Sequence, residues 1–236
     1  MPAMSAMSAM SDRKLRWSLP LACLALLLLP LGAPRAASPP AAAVPSLDGA
    51  DLAQGPYSSM HMMLQKTILR INVATVDVRF DKPAQTRFAE LARGQAYSDA
   101  LAQQLAPVAI AAAHAVVQMQ FKRDVSLDRW MGVVRDNLEQ ARRAGLITRE
   151  LEQRVSDGLP QWFAPVRDRG YLKGDRILYA VSPQALRTVV VSAGGQVLID
   201  RSEADQGTRR VVLASYFAPG SELREPLLRS LFEVQR

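Results

Sequence analysis

Two β-prone runs open the patterned part of the chain. Branched apolar residues are dense between positions 60 and 79, and the runs meet near Gln65 and Lys66. Since side chains alternate along a strand, the second run has one face with Asn72, Ala74, Val76 and Val78, and another with Ile71, Val73, Thr75 and Asp77. Both faces are partly apolar, which predicts an internal strand.

From Pro83 the apolar residues recur at helical spacing. Gly94 and Pro107 interrupt this pattern, so we predict two helices with a break. The apolar positions are Phe88, Leu91, Ala92, Leu101, Leu105 and Val108.

A short strand and two longer helices follow. Apolar and polar residues alternate over 117–122, which predicts a strand. Ser126 is placed to cap a helix that Gly145 ends, and Thr148 is placed to cap the next. Pro160 is expected to break or restart that second helix near its end.

The last third of the chain predicts a β-meander and two terminal helical segments. The three strands cover 176–181, 186–192 and 196–200, with a hairpin turn at Gly194 and Gly195. Pro219 and Gly220 stop an apolar-periodic segment that begins at Arg209, and residues 223–232 close the chain.

This order of elements predicts an α+β fold: an antiparallel sheet covered on one face by helices. An apolar cleft between two such layers, with a few polar groups, is a usual form of small-ligand site. The aromatic pairs Trp162–Phe163 and Tyr216–Phe217 are expected to be core or cleft walls.

The N-terminus has the pattern of a secretory signal peptide. Basic residues precede an apolar run over 19–31, and small residues end at Ala37. We expect residues 1–37 to be the signal peptide, 38–56 a Pro/Ala-rich linker and 57–236 one domain, periplasmic or secreted. An uncleaved signal segment would be the only membrane contact. Lipidation at Cys23 is disfavoured because Cys23 lies inside the apolar run.

Charge and residue types argue against several functions. Removing residues 1–37, which hold four basic residues and Asp12, lowers the formal net charge from +7 to +4. The remaining basic residues are mixed with acids, which does not favour nucleic-acid binding. His61 and His114 lack partners at metal-ligand spacing, so neither a metal nor a cofactor is predicted. The sequence contains no Gly-x-Ser-x-Gly motif and therefore does not support a hydrolase.

Four segments, in order, resemble the chalcone isomerase-like family. They are the strand 67–78, Phe121-Lys-Arg-Asp-Val-Ser126 with its helix, Ala144-Gly-Leu-Ile-Thr148 with the next helix, and 173–231. The resemblance implies the family's fold. For catalytic members the resemblance implies a cleft that positions a flavonoid precursor for ring closure. The residues that position it are an arginine and a threonine on strands, a tyrosine before the first long helix, and polar groups on helices. Non-catalytic plant members bind fatty acids through the arginine and tyrosine.

Two of the four polar roles in that pattern, those of the arginine and the tyrosine, are absent or doubtful in this sequence. The threonine falls on Asn72, the tyrosine on Val125, the arginine near Met60 and His61, and a hydroxyl of the closing helix on Ser215. Val125 can neither donate nor accept a hydrogen bond, so we assign no catalytic residue. His61 lies among methionines and is a candidate for the cleft or for a core or edge position.

The sequence therefore predicts an exported, non-catalytic protein that binds a small amphipathic ligand such as a fatty acid. The ligand-binding candidates are Asn72, Ser215, Arg70, His61 and Val125, with Arg70 as the cation for an acid. Two other classes stay open: an isomerase or intramolecular lyase with Asn72 and Ser215 as orienting groups, and a cell-envelope interaction module.

Cleavage of the signal peptide can be checked directly. We expect the protein exported by its own cells to begin near Ser38, as measured by intact mass and N-terminal sequencing. A mature protein that retains the apolar run over 19–31 would contradict this expectation.

Overall fold

The computed structural model describes residues 52–66 and 71–233. The signal peptide and most of the linker predicted from the sequence lie outside these residues, as does Arg70. In the described part, six strands form one antiparallel sheet in which each strand pairs with the next: β1 (Ser59–Lys66), β2 (Ile71–Phe80), β3 (Ala115–Phe121), β4 (Arg176–Val181), β5 (Leu186–Val191) and β6 (Val197–Glu203).

Helices fill the connections before and after β3 and the C-terminal end of the described chain. They are α1 (Lys82–Ala92), α2 (Asp99–Ala111), α3 (Leu127–Arg143), α4 (Arg149–Trp162), α5 (Gln206–Phe217) and α6 (Arg224–Ser230), with a short 3₁₀ turn at Ala164–Val166. No helix among residues 52–66 and 71–233 is both long and apolar enough to span a membrane.

The pairing register gives the sheet one continuous apolar face. One row of directly paired, buried residues crosses all six strands: Met62, Val76, Met119, Ile177, Val190 and Ile199. These side chains belong to one core cluster, which also includes buried residues from each of the six helices. Burial of this face against the helices removes apolar surface from water and so drives the two layers together. The predicted α+β class is confirmed.

Local capping signals also match the structure. Ser126 Oγ accepts a hydrogen bond from the backbone N–H of Arg129, and Thr148 Oγ1 accepts one from Leu151. Gly145 follows α3 with φ of +71°, a conformation that favours glycine over residues with a Cβ. The predicted start and end of α3 and the predicted start of α4 are therefore confirmed.

The predicted effects of two prolines were wrong. Pro107 lies inside α2 and Pro160 lies inside α4, and both helices continue through them. A proline in a helix loses its own backbone hydrogen bond and crowds the carbonyl four residues earlier, at a cost of about 3 kcal/mol. In α2 that carbonyl belongs to the exposed Gln103, where water can solvate it. Burial of neighbouring apolar residues such as Leu105 offsets the remaining cost.

A buried carboxylate ties two loops together at one end of the sheet. Asp175 is 0% exposed, and its side chain accepts hydrogen bonds from the backbone N–H groups of Leu172 (2.9 Å) and Ala193 (3.0 Å). Arg169 Nη1 lies 2.9 Å from Asp175 Oδ2 without hydrogen-bond alignment, while Arg169 Nη2 donates to Oδ1 at 3.4 Å. The carboxylate thus joins the loop before β4 to the turn between β5 and β6.

We expect Asp175→Ala to lower the free energy of unfolding by about 3–5 kcal/mol, because it leaves two backbone N–H groups and an arginine without their buried partner. Urea unfolding measures this change. The control is Glu90→Ala, which removes an exposed ion pair with Arg87 and should cost less than about 1 kcal/mol. Equal effects of the two substitutions would contradict a structural role for Asp175.

Candidate functional site

A cavity of about 140 Å³ lies between the helix-facing side of the sheet and helices α3, α4 and α5. Its walls are mainly apolar and aromatic, and include Met119, Trp130, Val134, Leu138, Val155, Leu159, Phe163, Leu186, Val211 and Val212. Sites for drug-sized ligands usually span about 300–1,000 Å³, whereas an apolar cavity of about 150 Å³ is known to bind benzene. The cavity therefore has room for a small molecule or for a short alkyl chain.

A row of polar side chains crosses the sheet at the wall of this cavity. Tyr179 on β4 is directly paired with Thr188 on β5, and Thr188 is paired with Arg201 on β6. Directly paired residues of an antiparallel sheet have Cβ atoms about 4.5–5.5 Å apart. All three residues line the cavity, together with Tyr216 from α5 and Asn137 from α3. The wall thus combines a mostly apolar surface with a few polar groups.

Four of these polar residues are buried, and their side chains form no hydrogen bond with any part of the chain that the structure describes. Their exposed fractions are 9% for Tyr179, 8% for Tyr216, 7% for Thr188 and 8% for Asn137. None of their polar atoms is among the fully buried, unpartnered side-chain atoms of the described residues, which are Arg169 Nη1, Tyr171 OH and Arg224 Nε, so these four polar groups stay accessible. The arrangement is typical of a site that supplies hydrogen bonds to an occupant.

Burial fixes the protonation of the two tyrosines. Loss of solvation, with a smaller contribution from the nearby Tyr216 and Tyr171, raises the pKa of Tyr179 well above its ordinary value. Loss of solvation also raises the pKa of Tyr216. Because burial disfavours the charged phenolate, both hydroxyls stay protonated at neutral pH and can donate a hydrogen bond.

The charged group nearest these hydroxyls along the sheet, Arg201, already has partners. Its Nη2 donates to Glu203 Oε1, and its guanidinium carbon lies 4.2 Å from the centre of the Trp162 ring. A paired arginine stacked on an aromatic ring presents little net charge to the cavity. The Arg201–Glu203 pair therefore leaves this end of the site close to neutral.

Free positive charge lies instead at another part of the lining. Arg123 and Arg129 line the cavity but are exposed, and neither makes an ion pair with a described residue. Asp124 lies beside them, and its Oδ1 accepts a hydrogen bond from the backbone N–H of Lys173 at 2.8 Å. The outer rim at Arg123 and Arg129 is therefore suited to an anionic group that remains in contact with water.

Two of the residues predicted from the sequence line the cavity. Val125 is half-buried and pairs through its backbone with Tyr171, just before α3. Ser215 is buried on α5, where its Oγ donates to the backbone carbonyl of Val212 at 2.9 Å. The Ser215 hydroxyl has thus used its proton within the helix. Of the expected cleft walls, Trp162, Phe163 and Tyr216 line the cavity.

The structure places Asn72 away from the cavity because of an irregularity in the sheet. Leu64 pairs with Ala74 and Gln65 with Asn72, so Val73 is an extra residue in β2. Such a bulge interrupts the alternation of side chains between the two faces. Ile71 and Val73 line the cavity as a result, whereas Asn72 is exposed and accepts a hydrogen bond from Gln65 Nε2 at 2.8 Å.

His61 is not brought to the cavity either. It is exposed on β1, where its backbone N–H donates to Ser230 Oγ and its Nε2 lies 3.7 Å from Glu233 Oε2. Its position therefore contributes to the contact between β1 and α6. Arg70 lies outside the described residues. No group of three or more potential metal ligands occurs among residues 52–66 and 71–233.

Four cavity residues were not among the predicted binding residues: Tyr179, Thr188, Tyr216 and Asn137. Their signal in the sequence is weak, since each is one polar residue inside an otherwise apolar pattern. Thr188, for example, lies between Leu186 and three successive valines. This cluster of polar residues can be recognised only from the strand register, which places Tyr179 beside Thr188.

The cavity wall at Trp162 depends on a glycine one turn earlier in α4. A Cβ atom built on Gly158 would lie 2.4 Å from a ring carbon of Trp162, far closer than van der Waals contact. Glycine at this position therefore lets the ring pack against the helix. The same ring stacks on Arg201, so its position affects one end of the cavity.

We expect Gly158→Ala to displace the Trp162 ring and to lower the free energy of unfolding by about 1–3 kcal/mol, because it overpacks the site. Gly132→Ala is the matched control: it is also inside a helix, and a Cβ there meets nothing within 4 Å. That control should be stabilised by about 0.5–1 kcal/mol. Urea unfolding and tryptophan fluorescence measure both. Stabilisation of both variants would contradict the packing argument.

Comparisons with known proteins give a loose structural likeness. No protein-family model matches the chain, and no curated protein matches it in sequence. The chain is similar in structure to a fatty-acid binding protein of Arabidopsis thaliana, with a TM-score of 0.43 and 12% sequence identity, over 75% of this chain and 88% of that one. An overlap of this extent does not by itself indicate a shared ligand.

Proposed function

We propose that this chain is an exported chalcone isomerase-like protein that binds a small amphipathic ligand, such as a fatty acid, without converting it. The observation that carries this proposal is the cavity itself: mainly apolar walls with four buried polar side chains that have no partner in the described part of the chain. This combination is characteristic of small-molecule sites, where apolar contact supplies affinity and a few polar groups fix orientation.

The charges of the lining favour one orientation of such a ligand. A carboxylate buried among apolar side chains would lose its hydration at a cost of several kcal/mol unless a cation met it. Arg201 is already paired with Glu203, whereas Arg123 and Arg129 are exposed and free of ion pairs with described residues. We therefore propose that the acid group binds at the rim and the apolar part in the cavity.

The groups at the site support binding in preference to proton-transfer chemistry. Among the described residues, the carboxylates that line the cavity are Asp124, which is exposed at the rim, and Glu203, which is ion-paired with Arg201. Neither His61 nor His114 lines the cavity, so the commonest general base of enzymes is missing from it. Val125, at the position where the family resemblance expects a tyrosine, supplies no acid or base.

The N-terminal pattern supports export of this binding domain. A basic segment, an apolar run and small residues ending at Ala37 precede the domain, as in secretory signal peptides. A protein of the periplasm or the cell exterior would meet amphipathic molecules outside the cytoplasm. The ligand would then be taken up after export.

Titration with a series of straight-chain acids from butanoate to hexadecanoate tests the proposed function. We expect affinity to rise about fourfold per methylene, which corresponds to about 0.8 kcal/mol for each buried CH₂, and to stop rising once the cavity is full. Isothermal titration calorimetry measures the series. An absence of saturable binding at every chain length would refute the proposed function.

The rim can be tested with the same acids. The double substitution Arg123→Gln and Arg129→Gln should weaken acid binding by about twofold to tenfold at low salt, the range of two exposed charge contacts. The double substitution Arg135→Gln and Arg149→Gln is the matched control, since both are exposed arginines that do not line the cavity. Equal weakening by the control would show that only net charge matters.

A further inference from the structure

The interior of the cavity contains hydrogen-bonding capacity that a plain hydrocarbon chain cannot use. Tyr179 and Thr188 are paired neighbours on β4 and β5, and Tyr216 lies close enough to Tyr179 to influence its ionisation. Each is more than nine-tenths buried and lines the cavity. None of these three hydroxyls is a fully buried, unpartnered atom, so water in the cavity can bond to them. An occupant with a suitably placed oxygen would replace that water.

The chemistry of these groups limits what the occupant can offer. Tyrosine and threonine hydroxyls are neutral, and the positive charge of Arg201 is already compensated by Glu203. Without a free cation, a carboxylate among these side chains would remain uncompensated. A carbonyl or hydroxyl oxygen, by contrast, accepts a hydrogen bond from a neutral donor and carries only a modest desolvation cost.

A third tyrosine provides an internal contrast. Tyr171 is 0% exposed and its hydroxyl has no hydrogen-bond partner among the described residues, yet it does not line the cavity. Its ring stacks on Phe121 at 4.4 Å and meets Trp130 edge-on at 5.4 Å, so packing accounts for the residue. Tyr179 and Tyr216 differ because their buried surface forms part of the cavity wall.

We propose that the natural ligand is an oxygenated amphipathic acid, with a neutral carbonyl or hydroxyl oxygen in its buried part that accepts hydrogen bonds from Tyr179 and Tyr216. This inference rests on the proposed function, since it assigns a ligand class to the same cavity. Thr188, directly beside Tyr179, adds a further hydroxyl to the cluster. The ligand would thus be recognised at two points: its acid at the rim and its neutral oxygen inside.

The test compares octanoate with a set of oxo-octanoates, which are positional isomers of one another. In each of them a keto group replaces a different mid-chain methylene. We expect at least one isomer to bind about threefold to tenfold more tightly than octanoate, the range for one net hydrogen bond. Tyr179→Phe and Tyr216→Phe should each reduce this preference, and the double variant should bring the ratio near one. Thr188→Val supplies a second kind of substitution in the same cluster.

Tyr171→Phe is the matched control, because it removes a buried hydroxyl that does not line the cavity and should keep the preference. Circular dichroism and thermal unfolding confirm that each variant is folded. Octanoate binding without preference for any isomer would overturn this inference and leave the proposed function standing, with water as the partner of the hydroxyls. A preference that persists in the double variant would also overturn it. Failure of every acid to bind would reject both proposals.

Discussion

The register of the antiparallel sheet determines which side chains reach the cavity. Since paired residues share a face, one row crosses all six strands with apolar side chains only. The adjacent row begins with Met60, Val78 and Val117 and continues as Tyr179, Thr188 and Arg201. The first half of this row belongs to an ordinary packed core. Its second half is polar and lines the cavity, together with residues of α4 and α5.

Polar residues in this row are accommodated in two different ways. Arg201 has both an acidic partner, Glu203, and an aromatic ring, Trp162, so its burial is compensated within the protein. The side chains of Tyr179 and Thr188 in this row, and of Tyr216 on α5, make no hydrogen bond with a described residue and line the cavity. This difference between the arginine and the tyrosines is the basis of the proposed binding site.

Local signals in the sequence predicted most of the helices and strands, because such signals depend only on neighbouring residues along the chain. The Ser126 cap is one example. Pro107 shows the limit of such signals, since packing of α2 outweighs the local preference against proline. The site was harder to predict. Strict alternation directed Asn72 toward the wrong surface, because an extra residue at Val73 can be recognised only from the pairing of β1 with β2. The role of Tyr179 likewise depends on its pairing with Thr188, a residue of another strand.

The energetic cost of an empty cavity is consistent with the proposed ligand. A dry cavity of about 140 Å³ would cost on the order of 3 kcal/mol. That is a substantial part of the roughly 5–15 kcal/mol by which domains are stable. An alkyl chain restores the lost apolar contacts but leaves the hydroxyls of Tyr179 and Tyr216 unbonded. Water can bond to the hydroxyls, yet it gains little from the apolar walls. A ligand with an apolar body and one neutral oxygen satisfies both kinds of surface, which is why the lining favours it over either alone.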